Sequence, residues 1–298
     1  MATCVQTIGG DRALRKAPLF PWKTVAWFAS LLLVCYAPVL YGLVRQWATD
    51  EDMGHGFLVP LVAGYIAWKR WPELTAVAPR RNSWGLVFVI WGAAQMILGN
   101  LAAQIFITRT AFLLSLAGIV LYAGGTRSLR ILAFPLLLTM FLFPLPAILY
   151  ARITLPLQIF ASSVAEAILN LAGIPVLRDG NILELAHHRL SVVEACSGMR
   201  SLLSLSFLAL VYAYFFDQKV WMRVLLFAGT IPIAIAANAA RVTLAGLIGD
   251  WRPELAQGLF HTLEGWVLFL VAMLLLVVLH RIANSGYALV RKRGHVAS

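Results

Sequence analysis

Residues 153–173 read ITLPLQIFASSVAEAILNLAG, and whether this stretch crosses a bilayer decides the direction of every helix after it. It is apolar enough to span, yet it carries Pro156, Gln158, Ser162, Ser163 and Glu166. The rest of the chain makes the membrane the right frame. Of 298 residues, 61% are hydrophobic and 12% are charged, whereas a soluble domain carries about 25% charged residues. A soluble enzyme, a DNA-binding protein and a disordered chain are excluded. The composition instead implies an all-α polytopic membrane protein.

A membrane-spanning helix needs about 20 apolar residues, fewer where flanking side chains snorkel. Charge-free runs of that kind lie at 23–45, 52–69, 81–109, 109–127, 130–152, 200–217, 223–241 and 264–281, which predicts eight spans. With the N-terminus inside and residues 153–173 not crossing, the inner segments hold 16 of the 24 basic residues but only 3 of the 13 acidic ones. The whole basic excess then obeys the positive-inside rule. A crossing at 153–173 would carry Lys219 and Arg223 outside and bring Asp179, Glu184 and Glu194 inside. This stretch is therefore expected to be an interfacial or re-entrant helix. The net charge of +11 reports membrane orientation rather than a nucleic-acid partner.

Past this stretch, Asp179-Gly180-Asn181 is a tight-turn signal between alternating segments, which predicts a small β-hairpin on the extracytoplasmic side. Residues 1–23 are expected to form a cytoplasmic tail, 24–282 one transmembrane domain with 24–44 an uncleaved anchor, and 283–298 a basic cytoplasmic tail. Prolines 135, 144, 146 and 156 are expected to break helices around the re-entrant segment.

Ionisable groups near membrane depth are costly to keep and point to function. Cys196 opens one predicted span, Arg241 closes the next and His261 opens the last. Consecutive spans alternate in direction, so the three positions fall on one side of the membrane. A thiol at a helix N-terminus beside cationic groups is an activated nucleophile. An imidazole can move the protons, and a guanidinium suits an oxyanion or a carboxylate. Asn238 and Glu264 lie one helical turn from Arg241 and His261 and are candidates to support them. His55, in Gly54–Pro60 (GHGFLVP), is a candidate to line the approach to the site, with its glycines allowing helices to pack closely.

The remaining candidates read as structural. Cys4 and Cys35 are expected to be buried small hydrophobes. Arg45, Arg109 and Arg252 are expected to reach headgroups, and His187, His188, His280 and His295 to be surface residues. One Cys and one His fall short of a zinc site, and no cofactor is expected.

Ala195-Cys196-Ser197-Gly198, then Asn238-x-x-Arg241, then His261-x-x-x-Gly265 resemble, in order and spacing, the signatures of the exosortase/archaeosortase family. The stretches Gly180–Leu185 (GNILEL) and Gly54–Pro60 are similar to that family too, although Gly54 stands where a serine is expected before the histidine. The resemblance runs from about residue 50 to 282. It implies a cysteine protease-transpeptidase of the bacterial inner membrane. Its partners would be membrane-anchored proteins whose C-terminal sorting signal comprises a Pro-Glu-Pro-like motif, a transmembrane helix and a basic tail. Carried over by motif, Cys196 is the nucleophile, Arg241 the transition-state stabiliser and His261 the acid/base, with Ser197 and Gly198 beside the thiol. Two other readings stay open from the residues alone: a non-enzymatic export or polysaccharide-assembly component, and a membrane acyltransferase using Cys196. The sequence sets no oligomeric state.

Overall fold

The computed structural model describes residues 22–186, 189–192, 198–251 and 259–296. The chain forms two compact units, one of Met1–Leu40 with Ala63–Met140, the other of Tyr41–Val62 with Phe141–Ser298. Its helices begin with α1 (Trp22–Thr49), a 3-10 turn (Glu51–Phe57), α2 (Leu58–Lys69), α3 (Trp71–Ala76), α4 (Trp84–Leu101) and α5 (Ile105–Ile131). After α6 (Ala133–Leu138), a second 3-10 turn (Thr139–Leu142) leads to α7 (Ala147–Leu171). Strands β1 (Val176–Asp179), β2 (Ile182–Leu185) and β3 (Arg189–Ser191) follow, then α8 (Gly198–Phe216), α9 (Val220–Trp251) and α10 (Leu259–Val296).

The first unit is built on the α4–α5 pair. Gly85, Gly92 and Gly99 recur every seven residues, so they share one face of α4. A Cβ at Gly85 would stand 2.3 Å from the backbone N of Tyr122, and one at Gly92 2.2 Å from Ser115 Oγ. The two backbones touch because no side chain intervenes. The first part of α1 packs on this pair through Leu32 and Tyr36, whose hydroxyl lies 3.0 Å from Ser115 Oγ. Inside α5, Gly125 takes φ +79° and kinks the helix, with Arg80 O 2.2 Å from where a Cβ would be.

In the second unit, α8, α9 and α10 form an antiparallel bundle. One core layer joins Leu205, Ala234 and Ala272, and another joins Ala209, Ala213, Met222, Leu226 and Leu276. Between α8 and α9, Ser206 and Thr230 share a hydrogen bond of 3.1 Å. The antiparallel sheet has the order β1-β2-β3, with Asp179 opposite Ile182 across a two-residue turn. Gly180 takes φ +61° at the first central position, as a II′ hairpin turn requires. The predicted hairpin is present, extended by a third strand. It packs with α7 and the later part of α9 through Ala165, Leu169, Leu183, Val192 and Val242.

The chain is a multi-pass membrane protein, but its helix lengths differ from the eight expected spans. Six described helices are long and apolar enough to cross a bilayer: α1, α4, α5, α7, α9 and α10. Residues 52–69 give only a 12-residue α-helix, because Asp50 caps a 3-10 turn through the glycines of Gly54–Gly56. Residues 130–152 do not form one helix, since Pro144 and Pro146 interrupt it before α7. Pro156, by contrast, lies inside a continuous α7, and the expected break there is absent. Residues 153–171, expected to be interfacial or re-entrant, are thus part of a 25-residue helix whose length and composition would also permit a crossing.

Three side-chain expectations are overturned. Arg109 is 5% exposed, buried in the α4–α5 unit rather than reaching headgroups. Cys35 is exposed on α1, not buried. His280 is 8% exposed, and its Nδ1 meets Tyr212 Oη at 2.9 Å while its Nε2 meets Asp217 Oδ2 at 3.3 Å. The Asp217 carboxylate can only accept, so Nε2 carries a proton.

Candidate active site

Ser201 of α8, Arg241 of α9 and Gly265 of α10 surround one point of the bundle, and Arg241, expected to close its span, lies inside α9, which continues to Trp251. Cys196 and Ser197 lie outside the described residues, as do Glu194, Ala195, His187, His188, Arg252 and Cys4. Gly198 is the first residue of α8, so the cysteine precedes that helix by two positions. Ser201, in the first turn, lines a cavity of about 10 Å³ together with Asn238 and Arg241 of α9 and Gly265 of α10. That volume suits roughly one water molecule. Leu205, Ala234, Phe269 and Ala272 close it below.

Arg241 is positioned by what α10 lacks. A Cβ on Gly265 would stand 2.8 Å from Arg241 Nη2 and 3.3 Å from its Cζ. Glycine lets the guanidinium lie directly against the helix backbone. His261 lies four residues earlier on α10, so the two positions share a helix face. Glu264 is in the same turn as Gly265, in register with His261. Asn238 is 7% exposed and precedes Arg241 by one turn. The Nε of Arg241 is buried without a hydrogen-bond partner among the described residues.

A second group of side chains meets the start of α8 from Tyr41–Val62. Asp52 accepts from Tyr150 Oη at 2.8 Å and from Arg200 Nε at 3.3 Å. His55 is 7% exposed, its Nδ1 lies 3.5 Å from Ser204 Oγ, and its ring tilts against Phe207. Burial lowers its pKa, against opposing hydrogen bonds to the Phe141 and Asp52 backbones and the charge of Asp52. An imidazole beside a hydroxyl is suited to exchange a proton with it or to orient it. Tyr150, Arg200 and Ser201 were not singled out by the sequence pattern. The adjacency of Arg200 and Ser201 to the Cys196 motif was the signal available for two of them.

The family model described as transmembrane exosortase (Exosortase_EpsH) matches residues 47–278, most of the chain. This protein belongs to the transmembrane exosortase family. The matched region takes in the acidic turn, the hairpin and all three bundle motifs. No curated protein and no solved structure matches. Exosortases are transmembrane proteases and transpeptidases that act in protein sorting. The groups at this exosortase's bundle end, a guanidinium beside a glycine and a histidine position one turn away, are compatible with such chemistry. Among the described residues no cluster of His, Cys, Asp and Glu could hold a metal ion.

Proposed function

We propose that this exosortase is a cysteine protease-transpeptidase that cleaves C-terminal sorting signals of exported proteins through a thioester. The observation that carries the reading is the Arg241 guanidinium packed against Gly265, its Nε without a partner among the described residues, beside a water-sized cavity at the end of α8 where Cys196 precedes the helix. The Cys196 thiolate attacks the scissile carbonyl carbon, forming a C–S bond and an oxyanion. Arg241 donates to that oxygen, and Asn238 holds the guanidinium or the substrate backbone. Collapse breaks the C–N bond, and His261 gives the leaving amine its proton. Water or an acceptor amine then attacks the thioester, losing a proton to His261 and releasing the thiolate. Ser197 and Gly198 shape the approach to the thiol, Glu264 orients His261, and His55 flanks the entrance.

The orientation belongs to the same reading. Both termini are cytoplasmic, the chain crosses eight times, and the site faces outward, as the distribution of basic residues supports. On this reading α7 lies along the outer surface. Its polar groups meet outer segments: Glu166 pairs with Arg178 at 2.7 Å, Gln158 accepts from Asn181 at 3.3 Å, and Tyr150 donates to Asp52. A substrate whose basic tail stays inside would then present its cleavage motif at the level of Cys196. The domain spans residues 24–282, between a tail at 1–23 and a basic tail at 283–298.

Replacing Cys196 with Ala or Ser in cells that express a sorting-signal protein tests the reading. The expected result is unprocessed substrate at normal enzyme level. Unchanged processing would leave a non-enzymatic assembly role as the better account, while loss of lipid acylation without loss of cleavage would favour an acyltransferase.

A further inference from the structure

Asp52 stands 148 positions before Arg200 in the chain, yet its carboxylate meets that side chain at the start of α8. Arg200 is the third residue of α8. A cation in the first turn of a helix opposes the positive end of the dipole, and an anion beside it offsets the mismatch. Asp52 supplies it through Oδ1 and accepts the Tyr150 hydroxyl of α7 on Oδ2.

The carboxylate is itself anchored. Its backbone N–H donates to Asp50 Oδ1 at 3.0 Å, and Asp50 Oδ2 accepts from Gln46 Nε2 at 3.2 Å on α1. Four residues on, Gly56 lies so close to Trp47 that a Cβ would stand 2.5 Å from the indole. That indole in turn donates to Leu142 O at 3.0 Å. The turn is therefore pinned to α1 and to the segment before α7, and the Asp52 carboxylate reaches the helix that Cys196 precedes.

We infer that Asp52 is a positioning residue: by bridging Tyr150 and Arg200 it fixes the first turn of α8 and, through it, the attack geometry of Cys196. This rests on Cys196 being the nucleophile. The Asp52 side chain is 22% exposed and that of Arg200 38%, so the pair adds little to overall stability. Its effect falls on geometry, where a misplacement of about 1 Å costs roughly 100-fold in rate.

The test uses full-length D52N, D52A, D52E, Y150F, R200K and C196A in proteoliposomes with a sorting-signal substrate. It reads kcat, KM, unfolding temperature and the rate of Cys196 alkylation by iodoacetamide. D52N and D52A are expected to lose roughly 10- to 100-fold in kcat, with KM and unfolding temperature near wild type and an altered alkylation rate. D52E should recover part of the loss, Y150F should lose less than D52A, and R200K should behave like D52N. Loss of activity in C196A with unchanged kcat and alkylation in D52N and D52A overturns the inference alone. So does a loss that merely follows the amount of folded protein. Cleavage that survives in C196A overturns the nucleophile reading, and the inference with it.

Discussion

Replacing Gly265 with Ala separates folding from catalysis. The new methyl would begin 2.8 Å from Arg241 Nη2, the far end of a flexible side chain. Restoring an ordinary carbon contact of about 3.4 Å requires the guanidinium to retreat by roughly 0.6 Å. Helix stability should not suffer, because Ala is favoured over Gly in a helix interior by about 1 kcal/mol. Catalysis should, since a displacement approaching 1 Å at a positioned group costs up to about 100-fold. The expected outcome is a variant with an unfolding temperature at or above wild type whose kcat falls roughly 10- to 100-fold. Gly265→Val should be worse in activity. The assay is cleavage of a sorting-signal substrate in proteoliposomes, paired with thermal unfolding of the same preparation. Full activity in Gly265→Ala would refute the reasoning that Arg241 must lie against this backbone, and a large loss of stability would show that the glycine serves packing instead.

Arg241→Lys keeps the charge but loses the fork of donors, and kcat should fall by about 100-fold or more with little change in unfolding temperature, read by the same pair of assays. Gly85→Ala places a methyl against the rigid backbone of α5 and should destabilise by about 1–3 kcal/mol; Gly42→Ala, inside α1 with nothing within 4 Å, is the control and should unfold at or slightly above the wild-type temperature. Asp217 is buried, which pushes its carboxyl up, but the Lys219 N–H, the His280 hydrogen bond and the charges of both residues hold it below the ordinary carboxylate value. A depressed folded value means the stabilisation is complete above the unfolded pKa of about 3.9 and is lost as pH falls through the folded value. Unfolding temperature should therefore drop in that acid window, and Asp217→Asn should flatten the drop while costing about 1–3 kcal/mol at neutral pH.

Much of the site's architecture was legible because helices that cross a bilayer in succession alternate in direction. That rule alone brings Arg241 and the His261 turn to one end of a bundle, and the core layers Leu205–Ala234–Ala272 and Ala209–Met222–Leu276 run in the order it requires. Gly265 was visible only as a motif residue; its purpose needed the Arg241 side chain. Other features resisted reading because they join distant segments. Asp217 and His280 are 63 residues apart, each resembling a solvated charge beside a span, and only the packing of α8 on α10 makes them a buried pair. The Asp52–Arg200 bridge is longer still in sequence. Helix continuity was not legible where an apolar run carries its own helix breakers: hydropathy treats 130–152 as continuous, whereas Pro144 and Pro146 divide it. Pro156 shows the converse, a proline accommodated inside α7. The seven-residue glycine period of α4 was present in the sequence and marks a close helix contact, and it is why a side chain at Gly85 should be costly.

The most direct measurement is the covalent state of the enzyme during turnover. Full-length protein mixed with a sorting-signal substrate, quenched in acid and digested, should yield by mass spectrometry a substrate-derived acyl group on the Cys196 peptide. It should be labile to hydroxylamine and absent from Cys196→Ala. An acyl group on another residue, or undiminished cleavage by Cys196→Ala, would contradict the account.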